Sequence, residues 1–136
     1  MLTHEQKIAR GLEMADAWKR MDWRAIADMF TPDGVLHSMM VEPIVGREAI
    51  HARVSALGDG LEAIELKIHH IGVVDGLLFM ERSDEFTIRG KFGSAPVVGI
   101  LEFEGDLIKT WREYYDRAHL LKAMGVTQDF DHAGRH

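Results

Sequence analysis

The stretch Leu77-Leu78-Phe79-Met80-Glu81-Arg82-Ser83-Asp84-Glu85-Phe86-Thr87-Ile88 reads as one long β-strand with charge set into its apolar face. A strand sends alternate side chains to opposite faces. Arg82 and Asp84 therefore share a face with Leu78, Met80, Phe86 and Ile88. A second apolar run ends in Trp111-Arg112-Glu113-Tyr114-Tyr115-Asp116. Strict alternation puts Asp116 on the face of Ile108, Thr110, Arg112 and Tyr114. If both faces line one interior, two carboxylates and a guanidinium enter an apolar cavity. Buried charges are costly unless paired, and proton chemistry is one reason to keep them there.

The rest of the chain supplies the elements such a cavity needs. Thr3 and Gln6 have capping-box spacing, and Ile8, Leu12, Ala15 and Trp18 recur at helical intervals, so residues 4–20 read as an amphipathic helix. Asp22 caps a second, short helix through Phe30, and Thr31-Pro32-Asp33-Gly34 is a turn signal. A strand follows over 35–40, then a loop and a third helix over 47–57 closed by Gly58-Asp59-Gly60. Ile64, Leu66, Ile68 and His70 alternate as a strand, and Asp75-Gly76 turns into the long strand 77–88. Residues 89–95 read as a glycine-containing loop, 97–103 and 107–116 as further strands, and 118–124 as a short helix. The expected architecture is α+β: a cone of curved, mixed or antiparallel sheet, closed by N-terminal helices over a deep apolar pocket. Residues 1–128 form one expected domain, and 129–136 a polar, frayed tail.

Composition narrows the class. The chain has 136 residues, 46% hydrophobic and 28% charged, which suits one globular domain with its own core. It has no cysteine, so no disulfide, thiolate metal site or cysteine nucleophile. A net charge of −6 argues against a nucleic-acid or anionic-membrane surface. No apolar run reaches the ~20 residues of a membrane helix, and Met1-Leu2-Thr3-His4-Glu5 lacks a signal-peptide layout. A cytoplasmic protein is the expectation.

Two carboxylates flanking one arginine can hold different protonation states, because the guanidinium favours ionisation while burial and the second carboxylate oppose it. One then accepts a proton from water and the other donates one to a leaving oxygen. The pair titrates as a unit. A structural salt bridge between neighbouring strands accounts for the same pattern, and spacing does not choose between them.

Glu81-Arg82-Ser83-Asp84, followed by the segment from Ile108 through Trp111-Arg112-Glu113-Tyr114-Tyr115-Asp116, resembles the limonene-1,2-epoxide hydrolase family. That family lies within the SnoaL-like, nuclear-transport-factor-two-like superfamily, which also holds polyketide cyclases and ketosteroid isomerases. The resemblance extends to His37-Ser38-Met39-Met40-Val41-Glu42-Pro43, Gly46-Arg47-Glu48-Ala49-Ile50 and Ile68-His69-His70-Ile71-Gly72. It implies a cofactor-free, metal-free hydrolase that opens a small apolar epoxide to a vicinal diol. Asp116 would be the general base, Asp84 the general acid, and Arg82 the group between them. The family also holds its water with a Tyr and an Asn on the first strand. Leu36 and Ser38 fall at those positions here, and a one-residue shift presents His37 and Met39 instead. Ser38 and His37 are the candidates to hold the water; Leu36 cannot. This altered shell leaves two alternatives: an isomerase, dehydratase or polyketide cyclase on the same scaffold, or a non-catalytic ligand-binding module.

Met80 and Phe86 share the Arg82 face and are expected to line the pocket, as is Tyr114 on the Asp116 face. His69 and His70 are adjacent and so should point to opposite faces of a strand. The histidines show no mutual ligand spacing, and no metal site is expected. Val97, Leu101, Phe103, Trp111 and Tyr115 are expected on the outer face, where a sheet-to-sheet homodimer would cover them.

Overall fold

The computed structural model describes residues 1–125. The expected end of the domain at 128 and the polar tail at 129–136 lie outside the described residues. The chain runs α1 (His4–Lys19), α2 (Trp23–Asp28), β1 (Phe30–Ser38), β2 (Ile44–Val45), α3 (Arg47–Leu57), β3 (Leu61–Val74), β4 (Leu77–Ile88), β5 (Lys91–Glu104), β6 (Leu107–Tyr114) and α4 (Arg117–Met124). This is a mixed α+β fold. A single six-stranded sheet has the order β2-β1-β6-β5-β4-β3, curved and unclosed, with the helices across its concave side.

Local chemistry explains the starts and stops. Thr3 and Gln6 form the capping box that opens α1, and the Asp22 side chain accepts the Ala25 amide, 3.0 Å away, to open α2. The turn between β4 and β5 takes only Arg89 and Gly90, both at positive φ (49° and 79°). Two consecutive left-handed residues make the tight turn whose twist matches a hairpin. The expected loop over 89–95 is therefore strand from Lys91 onward.

Four register shifts interrupt the sheet, one at the start of β3 between Leu61 and Ala63, and the other three decide which side chains face inward. The first of these three lies between Phe30 and Val35, where the expected turn is absorbed into β1 as a register shift against β6. The second lies on β3: Ile68 pairs with Arg82 but His70 with Glu81, so His69 is an extra residue. The third lies on β6: Ile108 pairs with Phe103 but Thr110 with Glu102, so Lys109 is an extra residue. A one-residue bulge moves every later side chain to the other face. His69 and His70 consequently both face outward, against the expectation that they diverge. Beyond Lys109 the parity of β6 is inverted. Trp111 turns inward and is 1% exposed, whereas Tyr114 turns outward.

The core lies between the sheet and the helices and contains Met14, Ile26, Phe30, Ile50, Val54, Leu78 and Trp111. Trp111 stacks on Phe30 with centroids 6.2 Å apart. Val97 and Leu101 are also buried. The outer apolar face on which a dimer is expected is correspondingly reduced, with Val98 and Tyr114 its exposed large residues on β5 and β6 beyond Phe92 near the hairpin end. Among the described residues no helix is long and apolar enough to cross a membrane.

Candidate active site

The concave face of the sheet, α1, α3 and α4 enclose a pocket whose wall is mostly apolar, with Trp18, Leu36, Leu57, Leu66, Phe86 and Leu120 among its lining. Arg82 enters this pocket from the middle of β4, and its side chain has no exposed surface. Its guanidinium is gripped from two sides. Nε and Nη2 donate to the two Asp84 carboxylate oxygens, each at 2.9 Å. Nη2 and Nη1 donate to Glu113 Oε1 and Oε2 at 2.6 and 3.1 Å. Both contacts are forks of parallel hydrogen bonds, the strong geometry for a guanidinium and a carboxylate. Trp111 Nε1 donates a further bond, 2.8 Å, to Glu113 Oε2, and the Arg82 guanidinium sits 5.8 Å from the Trp111 ring centroid.

Gly99 makes room for this cluster. It pairs with Glu113 across β5 and β6, and a Cβ there would lie 2.5 Å from both Arg82 Nη1 and Glu113 Oε2.

The electrostatics follow from one cation serving two anions. Burial works against the Arg82 charge, but Glu113 and then Asp84 more than offset it, so its pKa is raised above the usual arginine value. Burial also pushes the Glu113 carboxyl up; Arg82 opposes this and the Asp84 charge reinforces it, and the net direction is upward. Burial is the largest cause of the Glu113 rise, and the Arg82 guanidinium, shared with Asp84, offsets it only in part.

Of the residues singled out in the sequence, Arg82 and Asp84 meet as expected, and Leu36, Ser38 and Phe86 line the same pocket. Asp116 does not join them. It is exposed, stands outside the pocket and caps α4, its Oδ1 accepting the His119 amide at 3.1 Å. The bulge at Lys109 is the reason. Alternation counted from Ile108 reaches Asp116, but with one extra residue the inward set becomes Trp111, Glu113 and Tyr115. Tyr114 is 42% exposed on the outer face for the same reason. His37 points away from the pocket, its Nε2 bonded to the Val41 carbonyl at 3.0 Å. Met80 is buried in the core against α1 at Gly11 and does not line the pocket. Trp111, Glu113 and Tyr115 are the site residues that alternation misses. The available signal was Ile108 and Trp111, two bulky apolar residues at a spacing no regular strand can put on one face.

Among the described residues no group of three or more His, Asp or Glu side chains could hold a metal ion. The indole N–H of Trp18, on the pocket wall, is buried without a hydrogen-bond acceptor.

The fold has solved relatives. An LEH-like epoxide hydrolase from M. tuberculosis superposes with a TM-score of 0.78 at 21% identity, covering 89% of this chain and 90% of that one. A hypothetical protein of ketosteroid isomerase-like fold from Catenulispora acidiphila, in complex with trimethylamine, gives 0.77 at 20% identity, covering 92% and 96%. A candidate SnoaL-like polyketide cyclase from Shewanella denitrificans gives 0.77 at 15% identity, covering 88% and 96%. At these identities the likeness establishes the fold and leaves the reaction to the site. The SnoaL-like domain matches residues 12–111 of this sequence, and the chain belongs to that family.

Proposed function

We propose that the pocket hydrolyses a small apolar epoxide to a vicinal diol by one-step general acid–base catalysis, with Asp84, Arg82 and Glu113 as its centre. The observation that carries this reading is a guanidinium without exposed side-chain surface, forked to two carboxylates that both face an apolar hollow. With both carboxylates ionised, the trio carries a net negative charge where water is scarce. One added proton makes it neutral, so burial favours the singly protonated pair. That state contains an acid and a base at once, as ring opening requires.

In the reactive tautomer Asp84 holds the proton and Glu113 is ionised. Its raised pKa makes Glu113 a stronger base than an exposed carboxylate. Glu113 takes a proton from water, the water oxygen forms a bond to an epoxide carbon, and the carbon–oxygen bond of the ring breaks. The oxygen released takes the Asp84 proton. A proton returning from Glu113 to Asp84 restores the starting state. Water entering as the diol leaves carries that proton, because the Arg82 guanidinium donates in every contact and has no lone pair to accept it.

Incubation with limonene oxide, cyclohexene oxide and a wider epoxide panel in ¹⁸O-labelled water tests the reading. Labelled diol, with the label on carbon and none retained by the protein after one turnover, is the expected result. No diol from any epoxide overturns it.

Leu36 favours a second reading, because it offers no hydroxyl to the water at the position where the resembling family has tyrosine. The same pair would then abstract a proton from carbon, as in an isomerase or cyclase. Deuterium exchange into an enolisable ketone, without diol from epoxides, would select it.

A further inference from the structure

We infer that the attacking water is seated between Glu113, Ser38 and Tyr115, and that Arg117 positions Tyr115 for this task. The inference rests on the hydrolase reading and adds Tyr115 and Arg117 to Ser38, which the resemblance already offers for the water. Ser38 and Glu113 are direct partners in the parallel pairing of β1 with β6, and both side chains line the pocket. Tyr115 follows Glu113 by two residues on the same inward face. Its hydroxyl and Ser38 Oγ are hydrogen-bonded, so the two hydroxyls form a unit on the wall of the pocket that Glu113 also lines. Each can donate one hydrogen and accept two, which lets the pair hold a water by either polarity. A water held there gives one hydrogen to Glu113 and keeps its oxygen turned to the pocket.

Tyr115 is itself held. Arg117 Nη1 donates to the phenol oxygen, and the guanidinium lies 5.8 Å from the ring centroid. The ring is thus pinned by both its edge and its face. This arrangement answers the change on β1. Leu36 brings no hydroxyl to the pocket, and the phenol arrives instead from beyond the end of β6. The bulge at Lys109 that turns Glu113 inward also turns Tyr115 inward, so base and seat come from one irregularity.

The test uses the full chain and an epoxide it opens, with Tyr115→Phe, Ser38→Ala, Ser38→Thr and Arg117→Gln compared in the presence of azide. Azide attacks an epoxide without losing a proton, so it needs neither base nor seat. Tyr115→Phe and Ser38→Ala should lower kcat for diol by roughly 10-fold or more, with KM within about 2-fold. The ratio of azido-alcohol to diol should rise by a similar factor. Ser38→Thr, which keeps the hydroxyl, should recover most of the loss, and Arg117→Gln should move both readouts the same way by less. A purely structural role lowers the two products together and leaves their ratio constant. A constant ratio, or an unchanged kcat in Tyr115→Phe, overturns the seat and leaves hydrolysis standing. No diol from the wild-type protein overturns the hydrolase reading, and the seat with it.

Discussion

Glu81 and Arg82 are neighbours on β4, yet they live in different solvents. Arg82 points to the concave face, has no exposed side-chain surface and is forked to Asp84 and Glu113. Glu81 points to the convex face and pairs with His70 at 2.6 Å, with 59% and 83% of the two side chains exposed. The convex pair is as short as the shortest concave contact, 2.6 Å from Arg82 to Glu113. Distance therefore does not rank them. Water around His70 and Glu81 screens the attraction and would solvate either partner alone. Around Arg82 there is no such reserve, so each charge depends on the others being present. The lesson is that a charge becomes chemically useful in this sheet when the pleat points it at the pocket.

The largest expected difference between the faces is in stability. Arg82→Met leaves two buried carboxylates facing each other and should cost about 3–5 kcal/mol in urea unfolding. A cost below about 1 kcal/mol would place the concave cluster in the same regime as the surface pairs. Next comes Gly99→Ala, whose new methyl would press on Arg82 Nη1 and Glu113 Oε2 at 2.5 Å. We expect a loss of about 1–3 kcal/mol, together with a disturbed cluster and lower activity. A neutral Gly99→Ala would mean that the cluster tolerates displacement.

The pH response sharpens the contrast without a large amplitude. Glu113 is raised above its ordinary value of 4.5. The stability it contributes is therefore present below that ordinary value and lost as pH rises through the raised one. Exposed carboxylates paired with cations act in the opposite sense. Urea midpoints across about pH 4–8 should fall more steeply with rising pH in the wild-type protein than in Glu113→Gln. The smallest effect belongs to the convex face: His70→Ala should change stability by at most about 1 kcal/mol. A larger change would show that His70 and Glu81 have a second function.

How much of this was legible in the sequence varies strand by strand. β4 pairs with β5 in unbroken register, so alternation through Arg82 and Asp84 gave the correct face. The helices were readable because Thr3, Asp22 and Gly58 mark their ends with local chemistry. β6 was not readable past Lys109. A bulge is a property of two strands and of the curvature they share, and alternation within one strand carries no record of it. That single residue exchanged Asp116 for Glu113 as the second carboxylate and moved Trp111 and Tyr115 from the outside to the inside. Asp116 was diverted to capping α4, a role that depends on where the strand stops.

Glu113 and Asp116 lie three residues apart, so exchanging one carboxylate at a time gives the most direct test of the account. Diol formation from the best epoxide substrate would be measured for Glu113→Gln and Asp116→Asn, with folding checked by circular dichroism. The account predicts a loss on the order of 10²–10⁴-fold for Glu113→Gln and a rate within about 3-fold of wild type for Asp116→Asn. An active Glu113→Gln beside an inactive, folded Asp116→Asn would contradict it.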